Sequence, residues 1–342
     1  LQFRKRVEKV NSLGILKVYT GQGFSTQGMG MDILKEYDDV KKLYQTAKEI
    51  TGINVEKLCR EGTKEEQTNT RNQQAMVYVN IAALILRTEG LLFEKNEIWH
   101  CPEYEENKDL RKTYYLGFSL GEILALLAAK RFSFVDGLKL IKTRSELMAR
   151  ENKGELVSAI GGNESDISKN IIGKEVYLSM IKSDGNISLG GYKTPLDVAC
   201  EELRAQGHIR KIIRTEGAAA AFHTPLFEQE GYELREFLMK HSDLLVPSDK
   251  TVISNLDGKP FTGSVEDTIN RISQQIYKTV QFKRAVKSVE DSIGEVQVIG
   301  PGAETMAKIV KTNIPITPVY TIEKMESLNK YWEEQMRRMH AA

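Results

Sequence analysis

Ser119 sits at the centre of Gly117-Phe118-Ser119-Leu120-Gly121, a G-x-S-x-G pentapeptide after the apolar run YYL and before the helix-forming run EILALLAAK. In that setting the pattern predicts a sharp strand-to-helix turn. Small residues on either side leave room for a strained backbone, and the serine hydroxyl is presented at the tip. The start of the following helix favours negative charge on an oxygen under attack. The chemistry implied is nucleophilic acyl transfer through a serine ester, which requires a base. Five histidines are available. His100 falls in a polar segment, His208 beside the basic IRK, His241 at the end of a polar helix and His340 in the tail; each reads as a solvated residue. His223 lies in AAAAFHTPLF, among small and apolar neighbours. A histidine in such surroundings is more often a packed, hydrogen-bonded core residue than a catalyst until a nucleophile is found to pair with it; with Ser119 in the chain, it is the candidate base. No aspartate is placed between Ser119 and His223 as a hydrolase-type third member.

A second chemistry-bearing stretch is the glycine-rich GQGFSTQGMG, residues 21–30, which follows the apolar ILKVY. Turns of this kind aim backbone N–H groups at negative charge. The dinucleotide fingerprint fails because Thr26 stands where a third small residue is needed. The P-loop fails because Met29 follows Gly28 in place of lysine. The charge held here is therefore expected to be something other than a nucleotide phosphate.

The elements that must position these residues follow from periodicity. Apolar strand-like runs and amphipathic helical runs take turns along most of the chain, which predicts an α/β fold with a mainly parallel sheet, like that of the α/β-hydrolases. Between about Gly154 and Thr215 the order becomes βαββαβ, the split unit of a ferredoxin-like module. The expected organisation is a large catalytic domain over 14–153 and 216–330, with the smaller subdomain, 154–215, inserted into it and a crevice where the two meet. The segment FEKNEIWHCPEYEENKDLRK reads as a surface insertion.

Composition narrows the function. With 48 basic against 47 acidic residues, net charge +1, the chain carries no global electrostatic footprint for nucleic acid or membrane. No apolar run approaches the length of a membrane span and the start lacks a signal-peptide core, so a soluble, cytoplasmic protein is expected. The three cysteines, Cys59, Cys101 and Cys200, are far apart and read as reduced thiols. His100 and Cys101 are adjacent but no second pair completes a zinc site, so no metal is expected.

The joint order of GQG-x4-GMG, G-x-SLGE, an arginine, AFH, ISNLDGKP, VQF and GPG resembles malonyl-CoA:acyl carrier protein transacylases and the acyltransferase domains of polyketide synthases. The resemblance runs from about Leu16 to Ile322. It implies that Ser119 is the acylated nucleophile and His223 its base and acid, oriented by a backbone carbonyl near the VQ[WF] motif, here Gln281. The amides of Gln22 and Leu120 would then donate to the oxyanion, which answers what the glycine turn holds. Arg144, in LIKTRSELMAR, would clamp the free carboxylate of a malonyl group; by residue type alone it also fits the polar face of an amphipathic helix. Phe222 would exclude an α-methyl branch, and Gln73 would support the arginine and substrate. The implied activity is ping-pong transfer from malonyl-CoA, as substrate, to the phosphopantetheine thiol of an acyl carrier protein, in fatty-acid or polyketide biosynthesis. The implied protein is a monomer or a domain of a larger synthase, with no cofactor. An acyl hydrolase of the same fold is the alternative, against which Arg144 weighs. Carriers are acidic, so HIRKIIR with Lys130, Arg131, Lys283 and Arg284 forms a candidate basic rim. Three departures from the pattern stand out. Phe118 replaces the histidine before the nucleophile and is expected to line the substrate pocket, Thr20 replaces a proline, and Lys182-Ser183-Asp184 replaces Asn-Ser-Pro.

Overall fold

The computed structural model describes residues 13–89, 91–93, 98–100, 111–150, 153–214, 220–321 and 324. Among them the strands, in chain order, are β1 (Gly14–Tyr19), β2 (Leu91–Phe93), β3 (Ile98–His100), β4 (Thr113–Gly117), β5 (Glu155–Ile160), β6 (Val176–Ser183), β7 (Asn186–Gly191), β8 (Lys211–Arg214), β9 (Thr251–Ile253), β10 (Ile293–Ile299) and β11 (Ile316–Val319). The central sheet has the order β11-β10-β1-β4-β9 and its pairings are parallel. Parallel strands need crossovers, and these are supplied mainly by helices that cover the sheet. Strands β1 and β4 lie in its middle, so the glycine turn after β1 and the G-x-S-x-G turn after β4 emerge side by side at the carboxyl end of the sheet. This is the end at which open α/β sheets bind ligands.

Four helices bear on the site: α1 (Thr70–Glu89), α2 (Gly121–Ala128), α3 (Phe134–Met148) and α4 (Val265–Gln275). Helix α1 is buried from Gln73 to Leu86, so its sequence is apolar on nearly every face. Its buried glutamines are therefore informative. Helix α2 is buried along its whole length and carries one charged residue, Glu122. The core divides into a cluster around α1, α2 and α3 and a second, smaller cluster containing Leu16, Val18, Leu116, Phe118, Ile253 and Phe282.

The small sheet has the order β6-β7-β5-β8 with antiparallel pairing, the arrangement of a ferredoxin-like unit. Val157, Ala159, Ile187 and Leu189 turn one face of it into its own core. Alternation along the strands then puts Leu156 and Gly190 on the other face. A Cβ on Gly190 would fall within 3.2 Å of Thr224 and Ala221, so this face covers the His223 loop. The edge strand β6 is tied to the large domain by a bridge between Met180 and Val280.

The polar segment read as a surface insertion carries a short antiparallel hairpin, β2 with β3, that ends at His100. Cys101, residues 102–110 and His340 lie outside the described residues. Among the described residues no group of three or more His, Cys, Asp or Glu is placed to hold a metal, and no helix is long and apolar enough to cross a membrane.

Glycines explain how two turns can share one place. A Cβ on Gly21 would stand 2.1 Å from the Phe118 carbonyl oxygen, and one on Gly121 would stand 2.1 Å from that of Tyr19. A Cβ on Gly117 would come within 1.8 Å of the Gly121 carbonyl carbon. Helix α2 can thus start directly over the end of β4 only because both positions lack side chains. Gly117→Ala is expected to lower stability by ~3 kcal/mol or more through forced displacement of α2. An unchanged thermal midpoint would contradict this packing.

Candidate active site

Ser119 occupies the left-handed backbone region, φ 55°. For a residue with a Cβ this conformation is strained and has to be held by its surroundings. Three groups hold it. Asn255 Oδ1 accepts the Ser119 N–H at 3.0 Å while Asn255 Nδ2 donates to the Gly117 carbonyl at 2.7 Å. The Ser119 carbonyl accepts from Gln275 Nε2 at 2.7 Å and from the Glu122 N–H at 2.9 Å. The hydroxyl is then aimed at His223: Ser119 Oγ lies 2.6 Å from His223 Nε2. The amide N–H groups of Gln22 and Leu120 take no part in the hydrogen bonds of the described residues.

His223 has the same backbone strain, φ 61°, and is 2 % exposed. Its N–H donates to the Ile276 carbonyl at 2.9 Å, and its ring Nδ1 lies 2.6 Å from the Gln275 carbonyl oxygen. A carbonyl oxygen can only accept, so Nδ1 carries the proton and Nε2 is left as the acceptor facing Ser119. Burial holds the imidazole pKa down to about 4, and the Arg144 charge adds to the effect against the pull of the Gln275 carbonyl. The ring is therefore a neutral base at physiological pH. An NMR titration of the His223 ring should find its midpoint near 4; one near the ordinary histidine value of about 6.5 would show that water reaches the ring.

The sequence-based assignment of Gln281 as the orienting carbonyl is corrected to Gln275. Gln275 ends helix α4, where the last carbonyls have no intrahelical partner. Gln281 instead precedes the helix Phe282–Lys287 and donates its N–H to the Asn255 carbonyl at 2.6 Å. Gln275 also links the rest of the site. Its Nε2 donates to Glu122 Oε2 at 2.9 Å as well as to Ser119, and its Oε1 accepts from Arg144 Nη2 at 3.2 Å. Glu122 is fully buried; burial pushes its pKa up to about 7 against hydrogen bonds from Asn255, Gln275 and Ser254.

Arg144 lies on α3 and is 1 % exposed, not on a solvated face. Burial lowers its pKa to about 10, and it stays charged. Among the described residues it forms no ion pair, and its Nε has no hydrogen-bond partner. Gln74 accepts from Arg144 Nη1 at 2.7 Å, so the glutamine that supports the arginine is Gln74 and not the expected Gln73. Successive helix residues point about 100° apart; Gln74 faces Arg144 and Met148, one turn apart on α3. Gln73 is also buried, with its Oε1 unpaired.

Phe222 packs on Phe227 with ring centroids 5.2 Å apart, immediately before His223. Phe118 is a second correction. Alternation along β4 sends Phe118 to the same side as Leu116, into the second cluster, where it meets Phe282 edge-on at 5.2 Å. It is a packing residue rather than a wall of the substrate pocket. Arg131 is 1 % exposed and so cannot belong to a basic rim, whereas Arg210 and Lys211 are exposed. Lys182 is largely buried on β6 and donates to Ser158 Oγ at 2.8 Å, and Lys283 pairs with Asp184. His208, 3.2 Å from Asn170, and His241, tilted against the Phe237 ring, lie in other surroundings.

The geometry can remove a proton from Ser119, shield the charge that develops on an attacked carbonyl and hold a carboxylate nearby. The model of the acyl transferase domain matches residues 17–335. The chain is 27% identical over 294 residues to the polyketide biosynthesis malonyl CoA-acyl carrier protein transacylase PksC of Bacillus subtilis, covering 84% of this chain and 93% of that one. It is 26% identical over 318 residues to a malonyl CoA-acyl carrier protein transacylase of Synechocystis, covering 91% and 98%. In fold it is similar to the crystal structure of malonyl-CoA:acyl carrier protein transacylase from Helicobacter pylori, with TM-score 0.82, 20% identity and coverage of 94% and 99%.

Proposed function

The chain belongs to the acyl transferase domain family, and on that premise we propose that it transfers malonyl from CoA to the phosphopantetheine thiol of an acyl carrier protein. The observation that carries the reading is the line Ser119 Oγ, His223 Nε2, His223 Nδ1, Gln275 O, with its two 2.6 Å contacts, beside a buried arginine that forms no ion pair among the described residues.

The steps follow from the atoms. His223 Nε2 takes the Ser119 proton as Oγ attacks the thioester carbonyl, and the imidazolium is stabilised by Nδ1–H donation to the Gln275 carbonyl. The oxyanion is received by the amides of Gln22 and Leu120. On collapse the carbon–sulfur bond breaks and His223 returns the proton to the departing CoA sulfur, leaving an ester on Ser119. The carrier thiol then gives its proton to His223, attacks the ester and receives the acyl group, while the proton goes back to Ser119 Oγ. A carbonyl suffices as the third member here, because it fixes the tautomer without adding a buried charge.

The substrate class rests on Arg144. A guanidinium withdrawn from water without a carboxylate partner is costly, and an acyl group ending in a carboxylate relieves that cost with charge-assisted hydrogen bonds of about 1.5–3 kcal/mol each. Phe222 before His223 is proposed to disfavour α-branched acyl groups by steric exclusion. Exposed Arg210 and Lys211 are candidates for meeting an acidic carrier. The hydrolase alternative gains nothing from the relatives, whose names are those of transacylases. The test is to mix the protein with malonyl-CoA and a phosphopantetheinylated carrier and to weigh the carrier. Malonyl should appear on the carrier; release of free malonate in its place, with carrier present, would overturn transfer.

A further inference from the structure

Helix α2 has one charged side chain, Glu122, and it is 0 % exposed. A carboxylate in the first turn of a helix is favoured by the dipole, yet its removal from water must still be offset by hydrogen bonds. Three donors supply them. The Asn255 N–H donates to Oε1 at 2.6 Å, Gln275 Nε2 donates to Oε2 at 2.9 Å, and the Ser254 hydroxyl adds a third. The first two come from the residues that hold Ser119 and His223 in place. Asn255, just after β9, binds the Ser119 N–H and the Gly117 carbonyl through its side chain. Gln275, at the end of α4, binds the Ser119 carbonyl through its side chain and His223 Nδ1 through its own carbonyl. One buried anion thus gathers the supports of both residues.

These partners require two acceptor oxygens. An amide in place of the carboxylate would keep one acceptor and turn an NH2 group toward a donor. The carboxylate also decides which way the Gln275 amide faces. Both hydrogens of Nε2 are taken, one by the Ser119 carbonyl and one by Glu122, and Oε1 is left to accept from Arg144 Nη2. Reversed, the amide would set an oxygen against two acceptors and an NH2 group against a guanidinium, leaving buried groups unpaired on both sides. Resting on the acyl-transfer reading above, we propose that Glu122 is a positioning residue for that reaction: through Asn255 and Gln275 it fixes the strained Ser119 turn and the His223 ring relative to each other. Its side chain makes no hydrogen bond with Ser119 Oγ or with the His223 ring among the described residues, so it acts only through those two partners.

Glu122→Gln keeps the shape of the side chain and removes one acceptor. The readouts are the saturating rate of Ser119 acylation, the KM, and the low-field Nδ1–H resonance of His223 in nitrogen-15-labelled protein, assigned by its loss in His223→Ala. Measurements are made at about pH 8, where the native carboxylate is ionised, and well below the thermal midpoint of the variant. The rate should fall at least about tenfold, because a misplacement of about 1 Å can cost about 100-fold. The fall should be alike for malonyl-CoA and acetyl-CoA with KM little changed, since support of the nucleophile is independent of the acyl carboxylate. The His223 resonance should move, because the Gln275 carbonyl shifts with its side chain. A merely structural role predicts a lower thermal midpoint with native rates and an unmoved resonance in the folded protein, and that result overturns the proposal. A loss confined to malonyl-CoA also overturns it, since Glu122 would then serve Arg144 and not the Ser119 turn. If Glu122→Gln does not fold, Glu122→Asp takes its place: it keeps the charge but is one methylene too short to reach both donors. The same fall and the same shift are expected, and native values overturn the proposal. If the native protein takes no acyl group from either thioester, the acyl-transfer reading fails, and the His223 resonance alone decides for or against Glu122.

Discussion

His223→Ala should lower the rate of Ser119 acylation by about 10³- to 10⁶-fold, the range seen when one member of a nucleophile–base unit is removed. The reason lies in the 2.6 Å contact between Nε2 and Ser119 Oγ: without it the hydroxyl must attack as a poor nucleophile and the CoA sulfur must leave unprotonated. The effect should fall on both half-reactions, because the same nitrogen serves each. Stopped-flow acylation and single-turnover discharge to carrier would separate them. If discharge kept its native rate while acylation collapsed, some other group would be the base for the second step. The imidazole also ties the Gln275 carbonyl to the loop through Nδ1, so the variant's thermal midpoint has to be compared before the rate is interpreted.

Arg144→Ala should reduce kcat/KM for malonyl-CoA by about 100-fold or more, from the loss of at least two charge-assisted hydrogen bonds, and should affect acetyl-CoA much less. Removing the guanidinium also strands Gln74 Oε1 and Gln275 Oε1 in the core, so a general loss of stability accompanies the change. The comparison of two thioesters on one protein cancels that loss. Equal falls for both would mean that Arg144 serves as internal scaffolding through Gln275 and has no part in holding the acyl group.

The pairing of Ser119 with His223 was legible in the sequence because its signals are local. Ser119 is marked by glycines that a strand-to-helix turn requires, and His223 by small and apolar neighbours that imply burial. The βαββαβ order was legible for the same reason, since each strand and helix carries its own period and the turns between them are short. What could not be read locally is which polar groups meet across the fold. Gln275 and Gln281 differ in role because one ends a helix with open carbonyls and the other precedes one. That distinction depends on where α4 stops and on how it is aimed at His223. Gln73 and Gln74 differ only by a rotation about α1, and Phe118 was misplaced because strand alternation, not proximity to Ser119, decides which way it points. Asn255 escaped notice within ISNLDGKP, although its side chain holds the serine turn. A usable signal did exist for Glu122, a charged residue at the start of a run that is otherwise apolar, and such residues are retained where something buried needs them.

The convergence of Ser119, His223 and the Gln22 and Leu120 amides on one carbonyl carbon is tested most directly by locating the acyl group. The native protein is pulsed with malonyl-CoA, quenched in acid, digested and mapped by tandem mass spectrometry. Malonyl should sit on Ser119 and disappear when phosphopantetheinylated carrier is added before the quench. A stable acyl group on another side chain, such as Cys59 or Lys182, with Ser119 unmodified at every time point, would contradict the account.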